Sequence, residues 1–150
     1  MEMNYGIAMG SGEVDTVALW EHLLRFHRSS VAEMNHALVE SFGHSLDEYD
    51  VLHQLSDAGE PLRMGDLADR LLVANSSCTR LVQKLVKSGH LVRRTGDVDR
   101  REILVALTSA GQGLHRRMAA AHIRDIEQRM ATTFPTDVLR VLERVRFDVP

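Results

Sequence analysis

Between Asn75 and Lys87 the residues able to meet a polyanion are spaced to share one side of a helix. Ser76, Thr79, Arg80, Gln83 and Lys87 fall on that side, while Cys78, Leu81, Val82 and Leu85 fall on the other. Hydroxyls, an amide and cations are the groups that bond phosphate oxygens and base edges in a major groove. A second set follows directly. Arg93 and Arg94 lie in a β-type run, Leu91 to Thr95, and Arg100 and Arg101 in the polar loop Gly96 to Arg101, before another run from Glu102 to Leu107. Strand alternation sends Arg93 and Arg94 to opposite faces, so only one need face a nucleic acid, and Arg94 is taken here. Arginines at a hairpin tip suit a narrow minor groove. Asp99 is expected to hold the Arg101 guanidinium in place.

These residues need elements to hold them. Met64, Leu67, Ala68 and Leu71 mark a short amphipathic helix, which Leu72, Val73 and Ala74 join by a tight turn to the cationic one. Upstream, Ser45-Leu46-Asp47-Glu48 has the form of a capping box after the stop at Gly43. It opens a helix to about Asp57 whose inward residues are Leu46, Tyr49, Leu52 and Leu55. The pattern predicts a winged helix-turn-helix of three helices and a two-stranded wing over residues 45–107.

Long helical patterns flank that unit. From about Glu13 the residues Val17, Trp20, Leu24, Val31, Met34, Leu38 and Phe42 recur at helical intervals. At ~1.5 Å per residue the helix approaches ~40 Å, longer than a small domain usually buries alone. Thr108 caps a further helix to about Thr132, and Thr136 or Asp137 caps a last one to Phe147. Residues 13–42 and 108–150 therefore read as dimerisation helices, and residues 1–150 as one mainly α domain. Met1 to Gly12 lacks periodicity and reads as a frayed terminus.

The chain has 150 residues and a net charge of −3, which looks wrong for a nucleic-acid binder until it is partitioned. Residues 74–101 hold seven Lys or Arg against two Asp, a net +5, while the remainder, with 11 basic and 19 acidic residues, stands at −8. No apolar run long enough for a membrane span and no signal-peptide pattern occurs, so the cytoplasm is the expected location. The single cysteine excludes an intrachain disulfide. With no glycine-rich phosphate loop, nucleophile elbow or zinc signature, neither catalytic residues nor a cofactor are expected.

The motifs LDEYDVLHQL, MGDLADRL, TRLVQKLVKSGHLVRR, DVDRRE and LTSAG, spread from Ser45 to Gly111, resemble the MarR family of transcription regulators. The resemblance implies a homodimer on a pseudo-palindromic duplex operator, with both recognition helices in the major groove and both wings in the minor groove. It further implies repression relieved by a small, often aromatic, ligand. By the motif, Ser76, Ser77, Thr79, Arg80 and Gln83 fall where relatives contact phosphates and bases, and Arg101 at the minor-groove position. Asn75, Lys84, Arg94 and Arg100 complete the expected DNA-binding set, with Asp99 supporting the wing. Ala74 stands where a serine cap is common, which moves the expected cap by one residue.

Trp20 lies on the first helix near the relatives' ligand pocket, where Arg25 and Tyr49 are polar neighbours suited to an aromatic acid. Other readings compete. A winged helix can bind protein instead of DNA. Eight histidines make metal or proton sensing an alternative, although no pair stands at i,i+4 to offer a ready metal site. Cys78 is a candidate redox sensor, but its apolar side of the helix favours an inert thiol.

Overall fold

The computed structural model describes residues 14–96, 99 and 101–145. Nine elements follow in order: α1 (Thr16–Phe42), α2 (Leu46–Ala58), β1 (Leu62–Arg63), α3 (Met64–Leu71), α4 (Asn75–Lys87), β2 (Leu91–Thr95), β3 (Ile103–Leu107), α5 (Ser109–Thr133) and α6 (Thr136–Arg144). This is the mainly helical winged helix-turn-helix expected. One strand is added to it.

The chain divides into two units at Glu33, within α1. In the first, the Asp15 carboxylate accepts hydrogen bonds from the N–H groups of Val17 (3.1 Å) and Ala18 (3.0 Å), satisfying donors that a helix start otherwise leaves free. Val17, Leu19, Trp20 and Leu23 are exposed along this stretch.

In the second unit α2 opens with the capping box expected. Ser45 accepts from the Glu48 N–H at 3.1 Å, and Glu48 reaches back to the Ser45 N–H at 3.0 Å. The Asn35 side-chain oxygen accepts a further bond from the Leu46 N–H at 2.9 Å. Gly59, with φ of 68°, ends the helix in the left-handed region where a side chain is costly. Tyr49, Val51, Leu52 and Leu55 of α2 join Leu67, Ala68, Cys78, Val82, Leu85, Leu91, Val105, Leu114 and Met118 in one core. Burying a leucine or valine side chain is worth about 1.5–3 kcal/mol. Side chains of α2, α3, α4, α5 and the sheet thus hold the module together through a shared centre.

The sheet runs β1-β3-β2, all antiparallel. The expected wing is β2 with β3. The two-residue strand β1 pairs Leu62 with Val105 and Arg63 with Leu104. Two residues show no alternation, so periodicity had nothing to register there.

The α5 cap is made as expected, with Thr108 Oγ1 accepting from the Gly111 N–H at 3.0 Å. The α6 caps are not: Pro135 precedes the helix with no side-chain bond, because neither Thr136 nor Asp137 is outside the first turn. The expected end at Phe147, the terminus 1–12, and Asp97, Val98 and Arg100 lie outside the described residues. Among the described residues no helix is long and apolar enough to cross a membrane.

Candidate nucleic-acid interface

The tight turn before α4 fixes how that helix is presented. Leu72 adopts φ of 55° and ψ of 37°, and its N–H and that of Val73 bond back to the carbonyls of Asp69 and Ala68, both at 3.2 Å. A non-glycine residue in this region costs roughly 1–2 kcal/mol. The Leu72 side chain gains nothing in return, being 85% exposed.

Helix α4 begins with Ala74 as its cap residue and no side-chain cap bond, so the expected one-residue shift does not occur. The Ala74 carbonyl already accepts from the Ser77 and Cys78 N–H groups, at 3.0 and 3.1 Å, which sets the start of the helix by backbone alone. Asn75 and Ser76 are exposed at the open end, where free N–H groups favour an anion. Cys78, Val82 and Leu85 are fully buried on the inner side. Arg80 and Gln83 are exposed on the outer side, with Ser77 and Thr79 partly so. The Thr79 hydroxyl donates to the Asn75 carbonyl at 2.8 Å, leaving its oxygen to accept.

Lys84, of the expected set, is exposed and also makes an ion pair that the sequence did not announce. Its Nζ lies 2.6 Å from Glu48 Oε1, a carboxylate only 2% exposed. The other Glu48 oxygen takes the Ser45 N–H and lies 3.0 Å from His44 Nδ1. Burial pushes the Glu48 carboxyl up, but the Lys84 bond, the Ser45 and His44 bonds and the Lys84 charge outweigh it and hold the group below its ordinary value. Lys84 is thereby a partner of α2. Sequence reasoning saw Glu48 only as a cap, since nothing local announces a lysine 36 positions later.

The wing differs in two details. The Asp99 carboxylate accepts from the backbone N–H of Arg101 at 2.9 Å, an Asx-type turn, instead of holding the guanidinium. Arg101 is exposed. The loop closes through the Gly96 N–H to the Glu102 carbonyl (2.9 Å) and the Glu102 N–H to the Asp99 carbonyl (3.0 Å). At its base Arg63 of β1 pairs with Glu102 at 2.6 Å, a tie the sequence did not reveal. Arg94, exposed and opposite Leu104, lines a cavity with residues of α2 and α5.

Of the expected effector residues, Trp20 and Arg25 are exposed on α1. Tyr49 is buried, with its ring 5.8 Å from that of His53, 5.9 Å from His115 and 5.1 Å from His122. Its face is therefore already covered. His53 Nδ1 and His115 Nε2 stand 3.2 Å apart, one donating and one accepting, while His122 Nδ1 is buried with no hydrogen-bond partner among the described residues. Burial pushes His115 and His122 below the ordinary histidine value. Among the described residues no group of three or more His, Cys, Asp or Glu could hold a metal ion. Burial also pushes the Cys78 thiol up, away from the reactive thiolate.

Residues 42–102 match the model of the MarR family. The chain is 28% identical over 125 residues to the HTH-type transcriptional regulator MhqR of Bacillus subtilis, covering 83% of this chain and 84% of that one. It is 29% identical to PecS of Dickeya dadantii, over 67% of this chain and 64% of that one. Among solved structures, AbsC of Streptomyces coelicolor superposes with a TM-score of 0.76 at 23% identity, over 90% of this chain and 92% of that one. Sco3205 of the same organism, a MarR family regulator solved in complex with DNA, gives 0.74 at 21%, over 93% and 86%. CouR of Rhodococcus jostii, solved with p-coumaroyl-CoA, gives 0.69 at 25%, over 86% and 87%. Sequence motif, module and fold agree: over residues 42–102 the chain matches the MarR family of transcription regulators, and its fold is similar to theirs throughout.

Proposed function

We propose that this protein is a cytoplasmic homodimer that represses transcription by binding a pseudo-palindromic duplex operator, and that a small aromatic ligand releases it. Each protomer sets α4 in a major groove, with Asn75, Ser76, Ser77, Thr79, Arg80 and Gln83 toward phosphates and bases. Arg100 and Arg101 enter the flanking minor groove. The observation that carries this reading is the outer face of α4, on which Arg80 and Gln83 are exposed opposite the buried Cys78, Val82 and Leu85, in a chain that is otherwise acidic. Dimerisation through residues 13–42 and 108–150 is supported by apolar side chains left exposed at Trp20 (65%), Ile123 (51%) and Val141 (64%). Ligand control is supported by the likeness to CouR, which was solved with an aromatic acyl thioester.

Selection of bound fragments from genomic DNA tests the reading. Enriched fragments should share an inverted repeat whose half-sites lie one helical turn apart, about 10 base pairs. No enrichment, or a site without two-fold symmetry, would count against it.

A further inference from the structure

The wing outruns the strand that braces it. Strand β1 meets β3 only at Leu62 and Arg63, and its last rung sets Arg63 opposite Leu104. Beyond that rung the hairpin continues with two strands alone, through Thr95 opposite Ile103 and the bond from the Gly96 N–H to the Glu102 carbonyl. A two-stranded ribbon is only marginally stable by itself and twists more freely than a wider sheet. One side-chain bond crosses the gap. Arg63 Nη2 lies 2.6 Å from Glu102 Oε1, which carries the bracing of β1 into the unbraced part of the hairpin. Gly96 leaves room for it, since a Cβ there would stand 3.1 Å from both the Cβ and the Oε2 of Glu102.

The two ends of this bond lie at places that matter for recognition. Arg63 immediately precedes α3, the first helix of the helix-turn-helix, and Glu102 is the chain neighbour of Arg101. The Arg63 side chain is 60% exposed, and ion pairs open to solvent add little to fold stability, so the consequence of this one is geometric. We propose that Arg63 and Glu102 are positioning residues for minor-groove recognition. Their bond holds the hairpin at a fixed angle to α3 and α4, so that Arg101 meets the minor groove while α4 occupies the adjoining major groove. The inference rests on the wing's place in the proposed function and adds the residues that aim it. A planar guanidinium on a carboxylate is directional as well as attractive, which is what such a brace requires. Without it the hairpin pivots about the last rung of β1, and the entropy lost in ordering it on DNA offsets part of the Arg101 contact.

The test is a set of double-mutant cycles in the full chain, read as affinity for a duplex selected from genomic DNA. Arg101→Ala should cost about ten-fold in the parent, as for a lost groove contact, and only about three-fold in Glu102→Gln and in Arg63→Gln. Charge alone would move these two variants in opposite directions, because one removes a carboxylate beside the DNA and the other leaves it unpaired. A lost brace shrinks the Arg101 increment in both. Arg80→Ala, on α4, should cost the same factor in every background, which a general loosening of the fold would not give. Exchanging the charges, as Arg63→Glu with Glu102→Arg, should restore the larger Arg101 increment. An Arg101→Ala cost that is as large in both variants as in the parent, falls together with the Arg80→Ala cost, or does not return in the exchanged pair would overturn the positioning role and leave the regulator reading intact. An Arg101→Ala protein that binds like the parent would overturn it together with the minor-groove reading, while the Arg80→Ala result still reports on α4.

Discussion

Lys84 Nζ lies 2.6 Å from Glu48 Oε1, which fastens the recognition helix to the capping box of α2. The same carboxylate serves three donors, so it orients α4 and starts α2 at once. Replacing it as Glu48→Gln removes the charge while keeping the shape, and should cost about 1–3 kcal/mol in urea unfolding, as for a buried charged hydrogen bond. Since the folded-state pKa is depressed, the stabilisation is present above the ordinary glutamate value of 4.5 and is lost as the pH falls through the lower folded value. The Glu48→Gln variant should therefore lack that acid-dependent loss. An unchanged urea midpoint at pH 7 would contradict the assignment.

Leu72 offers the opposite sign. Its left-handed backbone strains a side chain that is 85% exposed and holds nothing. Leu72→Gly should raise stability by about 0.5–1 kcal/mol, because glycine adopts this conformation freely and the relief exceeds its extra unfolded-state entropy. A lower midpoint on thermal or chemical unfolding would refute the account of the turn.

Gly111 marks where α5 approaches the chain leaving α4. A Cβ built there would stand 2.0 Å from the His90 carbonyl oxygen, which accepts the Thr108 N–H. Gly111→Ala must push the first turn of α5 away from β2, with a cost of about 1–3 kcal/mol for the overpacking. Differential unfolding of the Gly111→Ala variant checks this directly, and full parental stability would show that the contact is looser than described.

The histidines around Tyr49 make stability sensitive to acid. His115 and His122 are held below the ordinary value of 6.5 chiefly by burial; Asp50 and Asp125 oppose this at His122, and His53 adds to it at both. The unfolded chain thus binds protons that the folded chain refuses. Stability is full above about pH 6.5 and falls as the pH drops through that value. A His115→Gln, His122→Gln double variant should flatten the decline between neutral pH and pH 5, where carboxylates still contribute little. An unaltered pH profile would exclude these two residues as its source.

Much of the reading unit was legible because local rules set it. The capping box at Ser45, the glycine stops and the inner stripe of α4 each depend on neighbours within a turn, so spacing reveals them. What escaped depends on contacts distant in sequence. The Lys84–Glu48 and Arg63–Glu102 pairs, the strand β1 and the histidine tier on Tyr49 arise only when α2, β1 and α5 pack together. Arg94 shows the limit sharply: alternation announced that Arg93 and Arg94 diverge, but only the register of β2 on β3 decides which one meets the cavity.

The central claim is that the outer face of α4 meets DNA as a cationic surface, and it is tested most directly by affinity for a selected duplex measured across a series of salt concentrations. The account predicts that log affinity falls steeply and linearly with log salt, and that Arg80→Ala loses about 1–3 kcal/mol while remaining folded. Salt-independent binding, or an Arg80→Ala protein that binds as well as the parent, would contradict it.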